Sequence, residues 1–350
     1  MRHIVLMPFG LILSYSILFS PIIASAADAQ KKAVIGISVP VLQNPFWRSF
    51  ADFATSAGKA LGAEVVVTDA NQSDSKQLDD IQGLIAQGVN GLVITPNTSA
   101  IARGLLRQAD AAHIPVVIAE RWPGFNPSDY NGKSYVGFIG VDNTLAGYNI
   151  AKALYDAGVR KFVAIGGTPG GAVADERNAG LKKFVSEHPV ANLLQNLQNG
   201  ELRQNGYTDA QNFLSAYPGP GFQGLWIYND DTALGAIKAF KDANVISKVK
   251  VASMDLIPEE VAAIKAGEAL YSTGGQWAES GEAVVMCFDA INGKIATPQA
   301  RQLSIPGVTK SNVEAYEQQF VTSVPTYDWK ALSAVFNPNA KTTDFIISIK

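Results

Sequence analysis

Three observations predict an α/β protein built from two doubly wound, parallel-sheet lobes. Short apolar runs recur roughly every 25–30 residues, about the length of one β-α-β step. Segments of helical period fill the intervals, and some of them close on glycine, as at Gly62 and Gly88. The apolar runs are continuous and do not alternate with polar residues, as expected for parallel strands covered on both faces. With 350 residues the chain is long enough for two domains, each burying its own core.

The first strand is expected over 33–39, where Ala-Val-Ile-Gly-Ile-Ser-Val is apolar throughout but for one Ser. Further strands follow over 64–68, 91–95, 115–119, 161–165, 224–228, 250–254 and 269–273. Helical periodicity marks 46–61, 75–87, 100–112 and 231–243. The stretch 121–134 is rich in Pro, Gly, Asn and Asp and reads as a loop. Beyond it, 135–141 leads into a helix over 143–157, and the first passage between lobes is placed there. The tail, 309–350, leaves the alternation, although 311–320 reads as one more helix.

Composition narrows the function. Lys and Arg number 28 against 31 Asp and Glu, a formal charge of −3, which lacks the basic excess of a nucleic-acid binder. Hydrophobic residues at 47% and charged residues at 17% describe a globular chain. Three His and one Cys supply no closely spaced ligand set for a metal. Cys287 falls in a helical run over 282–289 and is expected to be a small buried apolar residue. Residues 1–26 read as a cleaved secretory signal: Arg2 and His3, an apolar run, then Ala24, Ser25 and Ala26 as the cleavage pattern. Pro8 and Pro21 and the shortness of the run argue against a spanning helix. No Cys follows the cleavage point for lipid attachment, and no later stretch is long and apolar enough to span a bilayer. An exported protein that is not embedded in the membrane is expected.

In open α/β sheets, ligands bind beyond the carboxyl ends of the strands. Residues at those ends include Asn44, Phe46 and Trp47 after the first strand, Thr95 and Asn97 after the third, and Glu120, Arg121 and Trp122 after the fourth. In the second half they include a Gly-rich turn at 166–171 leading to Arg177, then Asn229, Asp255, Gln276 and Trp277. Guanidinium forks, carboxylates and amides suit the edge hydroxyls of a sugar, and flat aromatic rings suit its C–H faces. Enzyme readings fare worse. The Gly-rich turn lacks Gly-Lys-Ser/Thr and the G-x-G-x-x-G spacing, no G-x-S-x-G elbow occurs, and His113 and His188 sit at helix ends. Glu120 and Asp255 leave glycoside hydrolysis open as an alternative.

These motifs carry a resemblance. Gln-Asn-Pro-Phe-Trp at 43–47, Ile-Pro-Val-Val at 114–117 with the acidic-Arg pair that follows, Gly-Val-Asp-Asn at 140–143, Glu176 with Arg177, and Asn229 with Asp230 ahead of Ala-Leu-Gly at 233–235 occur in one order. From 33 to about 306 the chain resembles periplasmic sugar-binding proteins of the ribose and galactose type, which serve ATP-driven importers. The resemblance implies two lobes closing like jaws and joined by a three-strand hinge. The N-terminal lobe would comprise 33–140 plus 277–305, and the C-terminal lobe 141–276 plus 306–350 with the tail. It also implies roles: Phe46 and Trp47 as an aromatic clamp beside Asn44, Arg121 and Arg177 as hydroxyl-binding guanidiniums, Asn229 and Asp255 as the second lobe's amide and carboxylate, and Gln276 as an amide near the hinge. Glu120 stands where the family commonly has Asp, and Thr95 where a ribose binder would have Asn, with Asn97 two residues on. Both departures point away from ribose itself. The expected protein is a monomeric, non-enzymatic periplasmic binder of a sugar or polyol, without cofactor or metal, partnered by an inner-membrane ABC permease. A sensory subunit docking on a periplasmic receptor domain and a secreted glycosidase are the alternatives.

Overall fold

The computed structural model describes residues 32–219, 221–295, 297–323 and 325–350, together with Met1 and His3. The expected signal segment, 1–26, otherwise lies outside the described residues. One sheet is built from β1 (Val34–Val39), β2 (Glu64–Asp69), β3 (Gly91–Ile94), β4 (Val116–Ala119) and β5 (Tyr135–Val141). A second is built from β6 (Lys161–Ile165), β7 (Asn192–Leu197), β8 (Gly224–Ile227), β9 (Lys250–Asp255) and β10 (Tyr271–Gly274). Two late strands complete them: β11 (Gln299–Leu303) joins the first sheet and β12 (Gly307–Val308) the second. The strand orders are β11-β5-β4-β3-β1-β2 and β12-β10-β9-β8-β6-β7. Ladders are parallel throughout except where β12 pairs with β10.

The helices are α1 (Pro45–Leu61), α2 (Asp74–Ala86), α3 (Ala102–Ala112), α4 (Asn143–Asp156), α5 (Ala172–Glu187), α6 (Arg203–Ala216), α7 (Asp230–Asp242), α8 (Pro258–Ala266) and α9 (Glu279–Ile291). Two short ones follow, α10 (Val313–Tyr316) and α11 (Trp329–Leu332). Helix α1 shows why these segments start and stop where they do. Asn44 caps it, its Oδ1 accepting from the Phe46 N–H at 2.9 Å, Pro45 occupies the first helical position, and Gly62 ends it at φ 81°. Cys287 on α9 is fully buried, as expected.

The doubly wound fold and its parallel ladders are those the sequence predicts. Every residue of β3, β4 and β8 is buried, which explains their continuous apolar character. The edge strands β2 and β7 are half-buried. That difference accounts for β7 being missed: Asn192, Gln195 and Asn196 interrupt it, and it has no β-branched residue. Strands β11 and β12 were missed as well. β11 is an exposed edge rich in polar residues, and β12 spans only 2 residues.

The chain passes between the sheets at 141–143, at 274–279 and at 303–307, forming the three-strand hinge. The tail departs from its expected assignment. Its first part stays with the second sheet: α10 and the π-helical turn Glu317–Thr322 pack on α8, where Lys265 pairs with Glu317 at 2.5 Å. Beyond 325 the tail runs back along elements of the first sheet, and its last residues return to the second-lobe segment, where Ser348 and Lys350 pair with Gln319 at 2.9 and 3.0 Å. Trp329 meets Phe53 of α1 edge-on at 5.4 Å, and its ring fills the space left by Gly281 of α9. The Asp289 carboxylate accepts from the Ser333 hydroxyl at 2.5 Å and the Ala334 N–H at 2.8 Å. The reason is apolar burial. Tyr327, Trp329 and Phe345 form one aromatic cluster with Phe53, and each such ring contributes about 1.5–3 kcal/mol when withdrawn from water.

Candidate functional site

The carboxyl ends of both sheets face one narrow cavity of ≈ 20 Å³, nearly filled by the side chains that line it. Asn44, Phe46, Trp47, Glu120 and Arg121 line it from the first sheet. Val173, Arg177, Glu201, Tyr228, Asn229 and Asp255 line it from the second. The backbone is bent to present these groups. Glu120 sits at φ 61° immediately after β4, and Asp255 at φ 134° ends β9. Left-handed backbone at a residue with a side chain costs on the order of 1–3 kcal/mol, and such strain clusters at functional sites.

Two ion pairs cross the cleft in opposite senses. Arg177 of the second lobe meets Glu120 of the first at 3.4 Å, and Arg121 of the first meets Glu201 of the second at 3.3 Å. Each guanidinium is aimed by further contacts. Arg177 donates from Nε to Asn143 Oδ1 at 2.9 Å and from Nη1 to the Tyr228 carbonyl at 2.8 Å, with Asp255 at 3.7 Å. Arg121 donates from Nη1 to the Asn97 carbonyl at 2.6 Å. The Tyr228 hydroxyl donates to Glu201 at 2.8 Å. Arg121 also lies over the Trp47 ring at 5.3 Å and Arg177 over the Tyr228 ring at 5.0 Å. Burial pushes the carboxyls of Glu120 and Asp255 up, and the Arg177 charge opposes the rise in both. Glu279, against Glu120 at the hinge, is pushed well up by burial and then by the charge of Glu120.

Of the residues singled out in the sequence, eight line the cavity: Asn44, Phe46, Trp47, Glu120, Arg121, Arg177, Asn229 and Asp255. Three do not. Thr95 is fully buried, and its carbonyl accepts from Gln77. Asn97 turns its amide to Asp74 at 2.7 Å and serves the site through its carbonyl, which holds Arg121. Gln276 is fully buried and donates to Asp255 Oδ1 at 2.9 Å, so it orients that carboxylate. Trp47 also differs from a free-standing clamp. It is 4% exposed and packs edge-on against Phe46 at 4.8 Å and Phe50 at 5.5 Å, so its ring serves core and cavity together. Arg177 lies in the second turn of α5.

Glu201, Tyr228 and Asn143 were not anticipated. Glu201 follows β7, and missing that strand meant missing the loop at its carboxyl end. The signal was present in Asn199, Gly200 and Glu201, a turn between an apolar-polar run and a helix. Tyr228 was read as the last residue of a strand, and Asn143 as a helix start.

A two-lobed α/β protein with a polar cavity between the carboxyl ends of its sheets belongs to the class that encloses small solutes between lobes. The family model for a periplasmic binding protein domain matches residues 35–295. The chain belongs to this family. It is 31% identical to the ribose import binding protein of Escherichia coli K12 over 247 residues, 69% of this chain and 79% of that protein. Among solved structures, a twin-arginine translocation pathway signal protein from Burkholderia phytofirmans superposes with a TM-score of 0.80 at 27% identity, covering 85% of this chain and 95% of that one. An ABC transporter solute-binding protein from Mycobacterium smegmatis with bound glycerol superposes with a TM-score of 0.73 at 30% identity, covering 81% and 96%.

Proposed function

We propose that this protein captures an uncharged sugar or polyol between its lobes in the periplasm and presents it to an ATP-driven importer of the inner membrane. The observation that carries this reading is the crossed arrangement of Arg177 with Glu120 and Arg121 with Glu201, flanked by Trp47 and Tyr228. Guanidinium and carboxylate together offer donors and acceptors to vicinal hydroxyls. The near balance of two Arg against Glu120, Glu201 and Asp255 disfavours a ligand with net charge. Both ion pairs exceed the ≈ 2.7–2.9 Å of a tight charge-assisted contact, so hydroxyls entering between them would replace weak contacts by strong ones.

The eight cavity-lining residues picked from sequence, with Glu201 and Tyr228, form the binding set. Thr95, Asn97 and Gln276 support it. The lobes 33–140 plus 277–305 and 141–276 plus 306–323 act as the two jaws, and the tail beyond 325 runs along the first before its end pairs with Gln319 of the second. Ligand that touches both jaws only when they are closed shifts the population to the closed form, which the permease reads. The ribose import binding protein and the glycerol-bound structure among its relatives favour a small polyhydroxylated ligand. The role is binding without turnover. A thermal-shift screen of pentoses, hexoses and polyols tests the reading: the true ligand at about 100 times its Kd adds ~2.7 kcal/mol of stability. A screen in which amino acids stabilise the protein and no sugar or polyol does would overturn it, and release of product from a bound glycoside would establish a hydrolase.

A further inference from the structure

One carboxyl group at the hinge is buried without a counter-charge. Glu279, the first residue of α9, is fully buried, and neither of its carboxyl oxygens meets a hydrogen-bond donor among the described residues. It faces Glu120. Of the Glu120 oxygens, Oε1 lies 3.4 Å from Arg177, while Oε2 is buried and also lacks a donor. Three acceptor oxygens thus crowd one buried site. Two ionised carboxylates repel each other there, whereas a single proton between them turns the repulsion into an O–H···O contact.

The surroundings decide which group holds the proton. Burial raises the Glu120 carboxyl, but the charges of Arg177 and then Arg121 favour its ionised form. Nothing does the same for Glu279: burial raises its carboxyl first, and the charge of Glu120 raises it further. On the elements packed around it, Arg48, Asp52 and Lys59 of α1 and Lys330 of α11 are exposed, and β1, β3, β4 and β5 carry no charged residue. Tyr135 of β5 turns to Phe125 and Tyr130. Along α9 itself, Glu282 faces Arg301 at 3.5 Å. Asp255 and Glu176 add only negative charge near Glu120. A short 3-10 turn, Gln276–Ala278, runs directly into α9, so Glu279 does not stand at a free helix start where the dipole would favour the ion.

We propose that Glu279 is a positioning residue for the sugar site: it keeps its proton, donates it to Glu120 Oε2, and so holds Glu120 with Oε1 toward Arg177 and an entering hydroxyl. This rests on the sugar-binding reading and deepens it. The hinge crossing at 274–279 then orients both carboxylates that flank Arg177. Gln276 donates to Asp255 Oδ1 at 2.9 Å in the second lobe, and Glu279, from the same crossing, serves Glu120 in the first. Neither Gln276 nor Glu279 lines the cavity.

The test compares the full mature chain with Glu279→Gln, which keeps a donor, and Glu279→Met, which fills the space without one. Infrared spectra are taken first, at neutral pH and without sugar. Asp230, Glu260 and Glu282 are buried carboxyls too, so the signature is the difference between the parent and Glu279→Gln: a protonated-carboxyl C=O band present in the parent alone. Titration calorimetry then uses D-ribose, D-galactose, D-xylose, myo-inositol and glycerol as probes, below the melting temperature of each variant. Glu279→Gln should bind the tightest of these at least tenfold more strongly than Glu279→Met. Parent affinity should fall as pH rises above neutral, because the ionised pair repels, and Glu279→Gln should not follow it. If Glu279→Met does not fold, the band and the pH course decide. A missing band, equal affinities of the two variants, or one pH course shared by the parent and Glu279→Gln would overturn the inference and leave the sugar-binding reading standing. A panel in which no probe binds the parent would overturn both.

Discussion

At the scale of single residues, Arg177 concentrates the site. It is 2% exposed, spans the cleft to Glu120 and is held by Asn143 and the Tyr228 carbonyl. Arg177→Met removes the donors and leaves Glu120 and Asp255 buried without their counter-charge. Loss of one partner of a buried pair costs about 3–5 kcal/mol of stability, and binding should fall by more than about 2 kcal/mol. Calorimetry below the variant's melting temperature separates the two effects, and an affinity within threefold of the original would remove Arg177 from the site. Glu282 on α9 offers a different test. Burial lifts its carboxyl from 4.5 to about 8, although Arg301 at 3.5 Å pulls it down. The folded state therefore keeps a proton that the unfolded state releases above about pH 4.5. Its contribution is complete below that pH and is lost as pH rises toward 8. Glu282→Gln carries no such dependence, so its melting temperature relative to the parent should climb between pH 5 and pH 8. A constant difference across that range would refute the assignment.

At the scale of elements, helix pairs hold the second lobe's half of the site in place. Helices α4 and α5 approach so closely that a Cβ on Gly147 would stand 2.0 Å from the Arg177 carbonyl oxygen, and one on Gly180 2.0 Å from the Thr144 oxygen. Helices α6 and α7 meet in the same way through Gly206 and Gly235. The Arg177 backbone is thus located by a glycine on a neighbouring helix that touches no ligand. Gly147→Ala must push α5 outward, at an overpacking cost of about 1–3 kcal/mol. The guanidinium moves with it, and affinity should fall about tenfold, the scale of one weakened charge-assisted contact. Destabilisation with an unchanged Kd would show that Arg177 adjusts independently of its helix. The element scale also explains what the sequence hid. Strands buried on both faces carry an unbroken apolar signal, whereas β7 at the edge does not, and Glu201 was lost with it.

At the scale of the whole molecule, the two ion pairs join different lobes, so the site exists only when the lobes meet. Ligand should shift an open population to this closed arrangement and shorten the radius of gyration by about 1 Å. Solution scattering with and without ligand measures it, and tight binding with no compaction in a chain that begins open would dismiss the jaw mechanism. The tail adds a fourth link between the lobes, from α10 on α8 to Trp329 against α1 and α9.

The sequence by itself determined the alternating architecture, the parallel ladders and eight of the cavity residues, because strand apolarity, helix caps and the positions just beyond strand ends are local properties. The tertiary structure alone decided which residues oppose one another. That Glu201 answers Arg121, that Gln276 serves Asp255 and not the cavity, and that Trp329 of the tail packs on Phe53 all depend on contacts between residues 21 to more than 200 positions apart. No local pattern encodes such partners: they are set by how two sheets and their helices pack.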